Sequence, residues 1–428
     1  MFEVRGLERI ILHSDLNCFY ASVEMLYHPE YRDKPMAVSG DPDQRHGIIL
    51  TANYPAKARG VRTGEAIWQA RQKCPSLVTV PPDYSRYLRF SQLARKIYED
   101  YTDQIEPFGI DEAWLDVTAT PGVGDGKALA DEIRGRIWRE LGITASIGVS
   151  FNKVFAKIGS DYKKPDATTL ITRQNYREIV WSLPVGDLLY VGPATRVKLE
   201  GKGIYTIGSL AQTPPERLSS WLGKWGRMLW VFANGLDRSP VTRMGEEAAI
   251  QSVGNSCPTP RELESDEDVR MTLYILSDSV AARLREQGLR GQTVNLSVRD
   301  NTLASFTRQK KLPDPTCLTK EIAEAAFALF QRNYRWEQGI RSIGVSVSDL
   351  SSRKDPIQLD LLGKQAHREE LEALEDAMDH LRQRYGNQCI RRGVALSDTQ
   401  FARMDPKGEH IIHPVGFIPA GGKVGGSS

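Results

Sequence analysis

Phe108-Gly109-Ile110-Asp111-Glu112-Ala113-Trp114-Leu115-Asp116-Val117 places two adjacent carboxylates inside an apolar run with strand-forming character. Two such groups side by side repel, and each is costly to bury without a partner. A pair of this kind in a β-like segment calls for a nearby cation. Hard divalent ions such as Mg²⁺ take oxygen ligands, commonly one or two carboxylates plus substrate phosphates. A third carboxylate is therefore expected elsewhere. Taken alone, an Asp-Glu pair is far more often a solvated turn, since acidic residues are mostly exposed; the surrounding chain shifts that balance.

Arg9 to Leu16 reads as a strand with Ile11, His13 and Asp15 on one face and Ile10, Leu12 and Ser14 on the other. Asp15 supplies the third acid. After it, Leu16-Asn17-Cys18-Phe19-Tyr20-Ala21-Ser22-Val23-Glu24 turns from strand to helix, where free backbone N–H groups could face a phosphate; helix capping by Asp15 is the plainer alternative. Short strands at Pro35–Gly40 and Gly47–Ala52 lead to Asn53-Tyr54-Pro55-Ala56-Lys57-Ala58-Arg59-Gly60-Val61-Arg62. Its clustered cations suit phosphate or a solvated helix face. Apolar residues at helical spacing mark helices over Tyr84–Tyr101 and Leu129–Glu140. A small-residue strand follows at Thr144–Val149, then a basic helix from Asn152 stopped by Pro165. This order predicts an α+β domain with helices backing a sheet.

The 428 residues exceed one ordinary domain, and 40% hydrophobic with 26% charged residues describes a globular chain. A net charge of +2 is too small to signal nucleic-acid binding by itself. The charge is segregated, however: residues 281–354 carry 13 Lys/Arg against 7 Asp/Glu, and residues 241–280 carry 3 against 8. Five cysteines without a C-x-x-C pair argue against disulfides and zinc, and fit a reducing cytoplasm. No secretory signal pattern and no apolar run of membrane-spanning length is present, so a cytoplasmic location is expected.

Four stretches then fall into register. Asp15-Leu16-Asn17-Cys18-Phe19-Tyr20-Ala21-Ser22-Val23-Glu24, Asn53-Tyr54-Pro55-Ala56-Lys57, Ile110-Asp111-Glu112-Ala113-Trp114-Leu115-Asp116, and Ala156-Lys157-Ile158 to Lys164-Pro165 resemble the signature blocks of Y-family translesion DNA polymerases. They occur in the family's order, and the bacterial DNA polymerase IV branch is the closest comparison, over the chain to about residue 360. The resemblance implies a right-hand polymerase with the palm at 1–27 and 85–172, the fingers at 28–84 and a helical thumb at 173–240. A linker at 241–250, a β-α-β-β-α-β little finger at 251–352 and a C-terminal extension at 353–428 would follow. In the thumb, residues 187–203 resemble a helix-hairpin-helix whose turn, with Gly192 and Ala194, offers amides to DNA phosphates. A similar turn lies at Gly223-Lys224-Trp225-Gly226-Arg227. In the little finger, Thr307, Arg308 and Gln309, with Arg341, Ser342 and Ser346, suit backbone contacts along a duplex without base reading.

By the same resemblance, Asp15, Asp111, Glu112 and the carbonyl of Leu16 would hold two Mg²⁺ ions. Phe19, Tyr20, Tyr54, Lys57 and Lys164 would contact the incoming dNTP, with Tyr20 as a steric gate against ribose. Lys57 departs from the family's usual Arg and exchanges a bidentate fork for a point charge. Gly109 stands where Ser is common, and Asp116 falls outside the motif with no catalytic role. Gln358-Leu359-Asp360-Leu361-Leu362 resembles a bacterial sliding-clamp peptide anchored by Gln358, Leu359, Leu361 and Leu362. A helix with Leu371, Leu374, Met378 and Leu381 on one side follows, capped by Gly386, and the glycine-rich tail from Pro414 is expected to be disordered. The implied protein is a monomer working on primer-template DNA and dNTP at no membrane. A catalytically inactive scaffold of the same fold would be expected to lack one of the three acids, and a palm-type cyclase would not need the downstream modules.

Overall fold

The computed structural model describes residues 9–40, 47–120, 125–246, 250–356, 364–396, 398, 400–401 and 404–408. The chain divides into two compact units. The first opens with β1 (Ile11–Leu16), α1 (Phe19–Tyr27), β2 (Met36–Ser39), β3 (Ile49–Ala52), α2 (Tyr54–Ala58), α3 (Ile67–Lys73), β4 (Val78–Val80) and α4 (Tyr84–Glu99). It continues with β5 (Ile105–Pro107), β6 (Glu112–Asp116), α5 (Gly126–Arg136), β7 (Ala145–Ser150), α6 (Lys153–Tyr162) and β8 (Thr168–Ile171). Five helices complete it: α7 (Tyr176–Val180), α8 (Pro193–Glu200), α9 (Ile207–Gln212), α10 (Pro215–Leu222) and α11 (Lys224–Ala233).

The main sheet has the order β5-β6-β1-β7-β8. β1 is its centre, antiparallel to β6 and β7, and all six of its residues are buried. Alternation splits the strand's side chains between two packing layers. Leu12 and Leu16 join Ala113, Leu115, Ile147, Phe19, Tyr87 and Ile97 in one core, whereas Ile11 packs with Trp114 and Ala156 on the α6 side. α6 lies directly on the β7 backbone. A Cβ on Gly148 would strike the carbonyl of Ala156 in α6, and one on Gly159 would come within 2.9 Å of Gly148 Cα. This close approach, possible only with glycine, brings α6 and its lysines over the end of β1. A separate three-stranded sheet, β3-β2-β4, makes the core of the fingers segment with α2 and α3.

The thumb segment differs from the expectation at its first hairpin. Within 187–203 there is one helix, α8, and the expected first arm is a single 3₁₀ turn at Val185–Asp187, hemmed by Pro184 and Pro193. Two helices do meet at the second turn. There Gly223, at φ +63°, joins α10 to α11, and Gly226 packs against the Leu218 carbonyl. The expected linker starts attached: Val241 is buried, and the Thr242 amide and hydroxyl both bond Glu106 Oε2, at 3.0 and 3.1 Å.

The second unit contains β9 (Ser252–Leu263), α12 (Asp266–Glu286), β10 (Leu289–Asp300), β11 (Ser305–Thr316), α13 (Thr319–Asn333), β12 (Ile340–Ser352) and α14 (Lys364–Tyr385). The first six follow the β-α-β-β-α-β order read from the sequence. The antiparallel sheet runs β11-β10-β12-β9, and Val294, Leu296, Val298, Ile343, Val345 and Val347 pack under Leu276, Leu284 and Phe330 of the helices. α14 ends where expected, with Gly386 at φ +92° donating to the Arg382 carbonyl at 2.8 Å. Its buried face is polar. Glu372, Glu375, Asp379 and Arg382 are buried, while Leu374 and Leu381 are 58% and 44% exposed. Arg285 of α12 pairs with Glu375 and with Asp379 (2.7 Å), Arg290 of β10 with Glu372 (2.9 Å), and Arg382 with Asp278 (2.6 Å). The clamp-like peptide 358–362 and the tail from Pro414 lie outside the described residues.

Candidate active site

The β1–β6 register sets Asp15 directly opposite Glu112 and His13 opposite Trp114. Opposed residues in an antiparallel pair share a face, so both acids point toward α6. Asp111 precedes β6, and its carbonyl accepts the Leu16 amide at 3.0 Å, which draws the third acid to the end of β1. Thus the three carboxylates and Leu16 come from two strand ends held by sheet hydrogen bonds. Asp116 sits at the far end of β6, bonded to the Thr118 amide at 3.0 Å and to Arg9 at 3.4 Å, apart from this group.

α6 and the turn that follows it answer the acids with cations. Lys157 Nζ lies 2.7 Å from Glu112 Oε2 and 3.6 Å from Asp15 Oδ2, and Lys164 Nζ lies 2.7 Å from Asp15 Oδ2. Asp161 contacts both lysines, at 3.4 and 2.8 Å. Behind Glu112 is His13, fully buried, with Nε2 3.3 Å from Glu112 Oε2 and Nδ1 2.9 Å from Ser160 Oγ.

The acids are not equivalent electrostatically. Burial, then the negative charges of Asp15 and Glu112, push the Asp111 carboxyl up to about 7. Burial also raises Asp15, against the pull of Lys164. Burial acts the same way on Glu112, but its contact with His13 and the Lys157 charge overcome it and bring Glu112 down to about 2. His13 is lowered by burial, which favours the neutral ring. Among the described residues, no three His, Cys, Asp or Glu side chains already stand close enough to hold one ion; Asp15 and Glu112 are turned onto lysines instead. The donor chemistry itself fits a hard divalent cation, because three crowded carboxylates raise one another's proton affinity and a bound dication relieves that repulsion.

Of the residues expected around a nucleotide, Tyr20 and Tyr54 lie close enough to feel the charge of Asp111 and Asp15, and the set differs in exposure. Tyr20, at the start of α1, is half-buried and stacks on Tyr87 with centroids 4.3 Å apart and planes 12° from parallel. Phe19 is 2% exposed and belongs to the core, so only its backbone is available to a ligand. Tyr54 opens α2, whose N-terminus is capped by Asn53, and burial together with a hydrogen bond to Cys18 raises its phenol. Lys57 is exposed, 5.3 Å from the centre of the Tyr54 ring, and has no ion pair among the described residues. A Cβ on Gly109 would sit 3.4 Å from Asp111 Oδ1, so the side chain common at that position would touch the acid.

The expected DNA contacts are distributed over both units. Gly192 and Ala194 are exposed at the start of α8. In the second unit, Thr307 and Gln309 of β11 oppose Ser297 and Asn295 of β10, which oppose Gly344 and Ser346 of β12; Ser342 opposes Arg299. These residues share the sheet face turned away from the helices. Arg308 alternates to the other face, its Nε 3.1 Å from Asn333 at the end of α13. Arg341 lies at the irregularity between Ile340 and Ser342.

Sequence reasoning assigned no role to Lys157, His13 or Ser160. The signals were there: Lys157 falls inside the fourth motif, and His13 is two residues from Asp15 on the same strand face.

Residues 14–161 match the model of the impB/mucB/samB family, and residues 250–361 match that family's C-terminal domain. A DNA polymerase IV of Acetivibrio thermocellus is 50% identical over 399 residues, covering 93% of this chain and 100% of the relative. DNA polymerase IV 1 of Bacillus subtilis is 36% identical over 394 residues, covering 91% and 94%. A solved Y-family DNA polymerase chimera superposes with a TM-score of 0.70 at 25% identity, covering 79% of this chain and 98% of that one.

Proposed function

Because this chain belongs to the impB/mucB/samB family, the Y-family DNA polymerases, we propose that Asp15, Asp111, Glu112 and the Leu16 carbonyl hold two Mg²⁺. The chain is a template-directed DNA polymerase of the translesion kind, and its nucleotidyl transfer depends on divalent metal. The observation that carries the residue assignment is the register placing Asp15 opposite Glu112, with Asp111 tied to Leu16. When bound, such ions lower the pKa of the primer 3′-hydroxyl and neutralise the triphosphate and leaving pyrophosphate.

The chain's own residues orient the reactants. Lys164, Tyr54 and exposed Lys57 contact the triphosphate, Lys57 as a point charge rather than a bidentate fork. The α1 amides of Phe19 and Tyr20, in the first turn and so without intrahelical partners, bind the nucleotide, and the Tyr20 ring excludes ribose. Gly192 and Ala194 of the thumb, and Thr307, Gln309, Arg341, Ser342 and Ser346 of the little finger, contact the duplex backbone; Arg308, on the other face, joins them only by leaving Asn333 and reaching around the β11 edge. The palm, fingers, thumb and little finger take the boundaries read from the sequence. Gln358, Leu359, Leu361 and Leu362 bind the sliding clamp, and the enzyme works as a cytoplasmic monomer. No helix among the described residues is long and apolar enough to cross a membrane.

Primer extension tests the assignment. The parent protein extends a primer on undamaged and lesion-bearing templates, whereas Asp15→Ala and Glu112→Ala lose extension by at least about 100-fold while still binding primer-template. Normal extension by either variant would remove that residue from the metal site.

A further inference from the structure

Four groups close a ring behind the acids. Glu112 Oε2 meets Lys157 Nζ at 2.7 Å; the Lys157 carbonyl accepts the Ser160 hydroxyl at 2.8 Å; Ser160 Oγ lies 2.9 Å from His13 Nδ1; and His13 Nε2 returns to Glu112 Oε2 at 3.3 Å. The Lys157 side chain is only 15% exposed, and its ammonium reaches three carboxylates: Glu112, Asp15 at 3.6 Å and Asp161 at 3.4 Å. Lys153, one turn earlier on α6, shows what a purely architectural pair looks like: it binds Glu106 at 2.6 Å, and none of the three acids. Lys157 instead stands where the oxygens of Asp15 and Glu112 must converge if they are to hold an ion together.

We infer that Lys157 is a built-in counter-cation: its ammonium neutralises Glu112 and Asp15 in the metal-free enzyme and must swing toward Asp161 before those carboxylates can chelate. The inference rests on the metal-ligand assignment proposed above. Its consequence is a coupling between ligands. A divalent ion arriving alone must displace an ammonium that already satisfies the acids, so it binds weakly. A polyphosphate offers the displaced ammonium a second anionic partner. Anything that draws Lys157 off the acids strengthens the metal, and the metal strengthens that partner by the same factor. Metal and nucleoside triphosphate therefore load together, and the acids stay neutralised between turnovers.

The test uses the full chain and Mn²⁺ as probe, with free Mn²⁺ read by electron paramagnetic resonance in the absence of DNA and nucleotide. Lys157→Met, which keeps the length of the side chain and removes the charge, is expected to bind Mn²⁺ at least about fivefold more tightly than the parent. A non-hydrolysable dNTP analogue should then add less to Mn²⁺ affinity than it adds in the parent. Lys157→Arg should stay near parental affinity. Equal or weaker Mn²⁺ binding by Lys157→Met overturns the inference. Asp15→Asn separates it from the reading beneath: if that variant binds Mn²⁺ as the parent does, the ligand assignment itself fails. Thermal unfolding with and without Mn²⁺ covers the case of an unstable variant. The Mn²⁺-induced rise in Tm should be larger for Lys157→Met than for the parent, and an equal rise counts against the inference.

Discussion

Tyr20 has little freedom to move. Its ring stacks on Tyr87, the Tyr87 hydroxyl donates to Glu24 at 2.7 Å, and Glu24 is clamped by Arg86 at 3.1 Å, so the α1–α4 contact supports the ring from beneath. A rigid aromatic face discriminates by shape: with the sugar seated against it as proposed, one more hydroxyl would find neither room nor a partner. Tyr20→Ala is therefore expected to lower dCTP-over-rCTP selectivity opposite template dG by more than about tenfold, mainly through faster rCTP insertion, in single-nucleotide kinetics. Unchanged selectivity would pass the role to another residue. The meeting of Asp15 with Asp111 and Glu112 was legible from sequence because burying adjacent carboxylates has few physical justifications. Phe19 and Tyr20 were less so. Adjacent aromatics at a helix start divide between core and pocket according to where the first turn begins, and here Cys18 enters α1 at φ +45°, which no periodicity reveals. Lys157 was hidden by its type, since a lysine on a basic helix ordinarily reads as solvated.

α14 shows that the stripe which marks a helix need not be its most buried face. Its Leu371, Leu374, Met378 and Leu381 fall at helical spacing and mark a helix, yet the face applied to the second unit is Glu372, Glu375, Asp379 and Arg382. Apolar spacing locates a helix; it does not fix the buried side when the receiving surface presents Arg285, Arg290, Arg353 and Arg392. Those arginines are spread over more than 100 residues of sequence, so the complement was invisible to local reading. Removing one partner leaves buried charge unpaired, which is costly. Glu375→Ala should destabilise the second unit by about 3 kcal/mol, while Leu374→Gln should stay within about 0.5 kcal/mol of the parent, both by denaturant unfolding. A reversed order of the two effects would mean that the leucine face carries the contact. The thumb gives the opposite lesson. Its second glycine turn joins two helices, because Gly223 takes the left-handed φ and Gly226 lets α10 and α11 touch.

Across the molecule, each unit has its own core; the β-α-β-β-α-β order of the second was readable because periodicity changes clearly between strand and helix, whereas short elements of the first, such as α3, β4, β5 and β8, are too brief to show a period. Sheet register was not readable, since it depends on pairings such as β1 with β6, about 100 residues apart. Between β12 and α14 lies the proposed clamp peptide. Deleting residues 358–362 should abolish stimulation of synthesis by the sliding clamp while leaving clamp-free extension within about twofold, as expected when a peptide's apolar anchors carry the binding. Clamp stimulation that survives the deletion would place the contact elsewhere. α14, which follows the peptide, also bears on the molecule's response to heat. Water solvates ions less favourably as temperature rises, so the cost of keeping charges dry shrinks on warming. A helix seated through arginine and carboxylate pairs therefore loses less of its grip on heating than the desolvation cost at room temperature would suggest, and the C-terminal seam of the second unit is built to tolerate warmth.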